Sequence, residues 1–147
     1  MSAAASLAEG GSIASQAATM AAALVGMLAI AYVAWKAVQR QEKGDAELAA
    51  KLKADYLAVS FPRSGADIQW ARDLMIKAGG RSLICAKIER AEAIPALAEI
   101  LDASDAVMVA RGDLAVEVGD AVVPALQKRM IRMARERNKI VITATQM

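Results

Sequence analysis

Along the chain, the spacing of apolar and polar residues changes near residue 45. No charged side chain occurs from Gly10 to Trp35, and the strongly apolar part runs from Ala17 to Trp35. A helix needs about 20 residues to cross a bilayer core, so the run over 17–35 predicts one hydrophobic, membrane-spanning helix. Tyr32 and Trp35 stand at its C-terminal end, and Lys36, Arg40 and Lys43 come next. That order directs the C-terminal side to the cytoplasm. Gly26 and the alanines leave room for a second helix to pack closely. Three other readings compete. One is an Ala-rich soluble or surface helix. Another is a signal peptide, which needs its positive charge before the apolar run, where only Glu9 stands. In the third, residues 1–45 have no natural link to residues 46–147.

From residue 46 onward, short β-rich runs alternate with helical periodicity. Asp55–Phe61 is the first run. Ser64 stands three residues before Asp67, a capping box that opens a helix. Ile68, Ala71, Leu74 or Met75, and Ala78 keep its spacing until Gly79-Gly80 ends it. Ser82–Ile88 predicts a second strand, 94–101 a short helix and Ala106–Ala110 a third strand. A loop is expected over 111–120, then a helix over 122–137 with Val123, Leu126, Met130, Ile131 and Ala134 on one face. Lys139–Thr145 predicts a fourth strand. Such alternation argues for an α/β fold with a parallel sheet, either part of a (β/α)8 barrel or a doubly wound sheet. A closed barrel takes about 250 residues, so about four βα units are expected to form only part of one. The predicted organisation is therefore 1–45, holding the hydrophobic helix, and 46–147, holding the βα units.

Composition narrows the chemistry. The chain has 147 residues, no histidine and one cysteine. Ser-His-Asp and Cys-His catalysis are excluded, as are imidazole zinc sites. A lone Cys85 cannot form an internal disulfide. A net charge of +2, with no basic stripe interleaved with aromatics, argues against nucleic-acid binding.

In parallel α/β folds, functional groups gather at the C-terminal ends of strands. Those ends carry Ser60, then Lys87 and Glu89, then Arg111-Gly112-Asp113, then Thr143 and Thr145. Lys87 and Glu89 are two apart and share one face of a strand. Burying both is costly unless they are paired or bound to a ligand. Glu89 and Asp113 on neighbouring strands could hold Mg²⁺ or Mn²⁺, and Lys87 beside them suits an anionic substrate. A structural Lys-Glu-Asp ion network fits the same residues. Arg111 is expected to pair with a carboxylate. Lys128, Arg129, Arg132, Arg135 and Arg137 are expected on a solvated helix face.

The runs ADYLAVSFPRS (54–64), AKIERAEA (86–93), SDAVMVARGDLAVEVG (104–119) and VITATQM (141–147) together resemble the central barrel of bacterial pyruvate kinase, over about residues 47–147. Residues 1–45 show no such likeness. The resemblance implies transfer of phosphate from phosphoenolpyruvate to ADP, giving pyruvate and ATP in glycolysis, in a cytoplasmic homo-oligomer. It implies Lys87 at the transferring phosphoryl group, and Glu89 and Asp113 as ligands of Mg²⁺ or Mn²⁺. The backbone amides of Gly112 and Asp113 would receive the substrate carboxylate, and Thr145 would stand near the enolate face. Ser60 and Phe61 would support the lysine and phosphate, and Arg111 would support the site. The family also uses K⁺, whose ligands are not among the matching residues. The expectation is an incomplete piece of the barrel, inactive alone. Two alternatives are a small single-pass membrane protein with an inert barrel passenger and a metal-dependent enolate lyase of the same barrel type. Lys87 before Glu89, together with ARGD and TATQM, argues against the lyase.

Overall fold

A computed structural model of the chain describes residues 16, 17, 20 and 41–144. The chain divides into two units, Met1–Gln41 and Glu42–Met147. In the first, residues 16, 17 and 20 are exposed helical positions. The rest of the hydrophobic span expected over 17–35 lies outside the described residues. Among the described residues, no helix is long and apolar enough to cross a membrane.

The second unit opens with helical residues 42–52 (α1), then β1 (Tyr56–Val59), α2 (Gly65–Lys77), β2 (Leu83–Ile88), a 3₁₀ turn (Ala91–Ala93) and α3 (Leu97–Ala103). It continues with β3 (Ala106–Ala110), α4 (Arg111–Val118), α5 (Val123–Glu136) and β4 (Ile140–Ala144). The four strands are parallel and lie in the order β1-β2-β3-β4. This order never reverses, unlike a doubly wound sheet, and is consistent with part of a (β/α)8 barrel.

Strand register sorts the side chains. Ala58 pairs with Cys85, Cys85 with Ala106, and Ala106 with Ile140. Alternation along each strand turns Val59, Ile84, Ala86, Ile88, Val107 and Val109 to the other face. There they form one buried core with Ile68, Ala71, Leu97, Ile100, Leu101, Met130 and Ala134 from the helices. On the opposite face, Tyr56, Leu83, Ile140 and Ile142 are exposed.

Local chemistry fixes where the helices begin and end. Ser64 caps α2 through a full capping box: its hydroxyl accepts from the Asp67 amide, and the Asp67 carboxylate accepts from the Ser64 amide. Three helices close in the same way, each with a left-handed residue: Lys53 after α1, Gly79 after α2 and Asn138 after α5. In each, the next amide bonds back five residues, Ala54 to Ala49, Gly80 to Met75 and Lys139 to Ala134. This double-bonded stop satisfies the last carbonyls and turns the chain towards a strand. Gly65 matters for packing instead. A Cβ there would stand 2.8 Å from the Glu99 carbonyl oxygen, so the start of α2 touches the α3 backbone.

Residues 111–118 form helix α4, not the loop expected over 111–120. Leu114 is buried and Ala115 and Val118 are partly buried against the core. Two turns are too short for that stripe to show as a period, and Gly112 and Gly119 bracket it with loop-like residues.

Candidate functional site

Strand β2 carries Lys87 near its C-terminal end and delivers Glu89 just beyond it. Glu89 is only 2% exposed, and its carboxylate forms an ion pair with the Lys87 ammonium. Lys87 also donates to the Ser60 hydroxyl, 3.2 Å away beyond β1. The second Glu89 oxygen accepts the Phe61 amide at 3.3 Å. A buried carboxylate is stable only with such partners. Phe61 has φ of 56°, a left-handed conformation that costs a non-glycine residue about 1–2 kcal/mol. That backbone turn aims its amide at Glu89, while the ring itself stays exposed.

Strand β3 leads directly into α4, whose first turn is Arg111-Gly112-Asp113. No side chain caps it: Ala110 occupies the N-cap and offers no side-chain hydrogen bond. First-turn amides have no partner within the helix, so those of Gly112 and Asp113 face an anion-favouring end of the helix dipole. Asp113 and Glu89 both line a cavity of about 440 Å³, together with Phe61, Arg90, Val116 and Glu117. Arg90 bridges the walls of this cavity. Its Nε lies 3.6 Å from the Glu117 carboxylate, and its guanidinium carbon 5.9 Å from the centre of the Phe61 ring.

The described structure thus gathers Glu89, Asp113 and Phe61 around one cavity, with Lys87 and Ser60 joined to it through Glu89. Gly112 and Arg111 sit on the adjoining first turn of α4. The carboxylate partner expected for Arg111 is not found among the described residues. Thr145 lies outside the described residues, and Thr143 is exposed on β4. Sequence reasoning misses Arg90, Val116 and Glu117. Glu117 is four residues after Asp113, a helical spacing that has no meaning if 111–120 is read as a loop.

Among the described residues, no three His, Cys, Asp or Glu side chains cluster as a complete metal cage. Three carboxylates, those of Glu89, Asp113 and Glu117, line the one cavity, and Glu117 is paired with Arg90. Beneath the site, Cys85 is buried on the same strand as Lys87, and burial pushes its thiol above the ordinary range despite the nearby Lys87 charge. Asp105 secures the strands from below. Its carboxylate accepts from the Ile84 amide and from Arg72 of α2, each at 2.8 Å. Burial alone would raise its pKa. The Ile84 hydrogen bond, Arg72 and Lys139 outweigh burial and hold it below the usual carboxylate value.

With this geometry in place, comparison with known proteins decides the family. The family model for the barrel domain of pyruvate kinase matches residues 15–147. The chain belongs to the pyruvate kinase family. It is 52% identical over 114 residues to pyruvate kinase of Buchnera aphidicola and 52% identical over 115 residues to pyruvate kinase II of Salmonella typhimurium. It is 48% identical over 111 residues to the pyruvate kinase of Mycobacterium tuberculosis. Each match covers 76% of this chain and 24% of the relative, so the chain spans about a quarter of the length of these curated relatives. The family match also begins upstream of residue 47, where the motif resemblance starts.

Proposed function

We propose that residues 46–147 carry the metal- and phosphoryl-binding part of a pyruvate kinase-type phosphotransferase, which acts on phosphoenolpyruvate and ADP. The observation that supports this most directly is the buried Glu89 paired with Lys87 and sharing a cavity with Asp113 beside an uncapped helix start. Phosphoryl transfer needs positioning and charge stabilisation more than covalent chemistry, and this arrangement suits both. Glu89 and Asp113 would hold Mg²⁺ or Mn²⁺, which would supply positive charge against the phosphate and carboxylate oxygens. Lys87 neutralises the phosphoryl group, released from part of its bond with Glu89 when the substrate arrives. The Gly112 and Asp113 amides receive the substrate carboxylate, and Ser60 holds the ammonium in line. Thr145 serves the enolate face in this reading, with Arg111 at the edge of the carboxylate site. K⁺ belongs to the family's chemistry, and no residue of this chain is proposed to hold it.

Calorimetric titration of phosphoenolpyruvate into the full chain, with and without Mn²⁺, tests the reading. Binding should require Mn²⁺, and Lys87→Gln should weaken it roughly tenfold, the worth of one charge-assisted hydrogen bond. Binding that is equal without metal, or unchanged in Lys87→Gln, would contradict it. The family match begins at residue 15, so residues 15–45 are not set apart from the family domain; within them, 17–35 is proposed as a hydrophobic helix whose C-terminal side faces the cytoplasm. The uncharged run and the cations after it support that placement.

A further inference from the structure

Arg90 has no part in the proposed reaction, yet it lines the cavity beside Glu89. Its guanidinium reaches Glu117 on α4 with one side and the Phe61 ring, beyond β1, with the other. Phe61 in turn donates its amide to Glu89 from a left-handed backbone. Glu117 lies one helical turn beyond Asp113. The chain of contacts therefore runs from Glu89 through Phe61, Arg90 and Glu117 to the helix that bears Asp113. Arginine suits this place because its planar, delocalised cation can face a ring on one side and a carboxylate on the other, which a compact lysine ammonium does less well.

We propose that Arg90 is a positioning residue that fixes α4 against the Phe61 turn and so sets the separation of Glu89 and Asp113. The inference rests on the reading of those two carboxylates as cation ligands. A purely electrostatic role predicts the opposite sign. Arg90 is a cation beside a cation site, so removing its charge alone would tighten binding of Mn²⁺. Loss of the bracket loosens it, by about tenfold, as is usual when a residue supporting a metal ligand is removed. Lysine at this place keeps the charge and loses the planar group that faces both Phe61 and Glu117, so it should restore little of the affinity.

Phe61 is the only phenylalanine in the chain, so 4-fluorophenylalanine gives a single ¹⁹F resonance inside the bracket. The full chain so labelled would be compared with R90A, R90K and E117Q, each checked for native far-UV circular dichroism. Without metal, E117Q should shift the Phe61 resonance although it leaves the guanidinium present. With Mn²⁺, paramagnetic broadening should appear in the wild-type chain and should need roughly tenfold more metal in R90A and nearly as much in R90K. Broadening at unchanged or lower Mn²⁺ in R90A overturns the inference, as does full rescue by R90K. No broadening in the wild-type chain overturns the reading of Glu89 and Asp113 instead, and the bracket is then judged on the metal-free spectra. There, an unmoved resonance in E117Q overturns it.

Discussion

Lys87 near the end of β2 and Glu89 just beyond it stand two apart, and the buried Glu89 is neutralised by Lys87. Lys87→Ala leaves a carboxylate in the interior with the Phe61 amide as its remaining partner. That should cost about 2 kcal/mol, below the range for a fully buried pair because Lys87 is partly exposed. Urea unfolding monitored by circular dichroism checks it. Asp105 makes a prediction about acid. Its folded pKa lies below the usual value of about 3.9. The unfolded chain therefore binds more protons in that window, and stability rises with pH. The contribution is present in full above about pH 5 and is lost as pH falls through the lower folded value. Asp105→Asn should cost about 1–2 kcal/mol at pH 7 and progressively less as the medium is made more acidic. A cost that does not fall with pH would show that the charge is not what counts.

At the scale of elements, α2 is specified twice, by its cap and by its contact with α3. Ser64→Ala should cost about 1 kcal/mol through the lost capping box. Gly65→Ala should cost more, about 1–3 kcal/mol, because the new methyl meets a backbone carbonyl that cannot swing aside. Thermal unfolding of the two variants tests the ranking, and an unchanged midpoint in Gly65→Ala would refute the close contact. These elements also mark what the sequence makes legible. Ser64, Asp67 and Gly79 carry local signals, so α2 is found within a residue or two of its predicted ends. The third strand is found at its predicted bounds because Ala106–Ala110 is apolar on both faces. Helix α4 escapes notice because two turns with a glycine inside show no period. Reading it as a loop hides Glu117, whose meaning depends on being one turn from Asp113. Arg90 is invisible for another reason: its partners lie just past β1 and on α4, and no spacing along one strand reveals a bridge between separate elements. Lys87, Glu89 and Asp113 are legible from strand ends alone, while the roles given to Gly112 and Thr145 come only from family likeness.

At the scale of the second unit, helices cover one face of the sheet, while Tyr56, Leu83, Ile140 and Ile142 are exposed on the other. Among the described residues, strands β1 and β4 form its edges. Exposed apolar side chains beside open edges favour association. The 147-residue chain should therefore sediment as more than a monomer, and Ile142→Lys should shift it towards the monomer; identical sedimentation of the two would argue against that face as the cause. On this folded sheet Glu89 and Asp113 together are expected to form one cation site. Its most direct test is Mn²⁺ binding measured by electron paramagnetic resonance, on the full chain and on Glu89→Gln and Asp113→Asn. Saturable binding at one site is expected, which either substitution weakens by at least roughly tenfold, with the double variant little worse than the singles. Binding that survives both substitutions would contradict it.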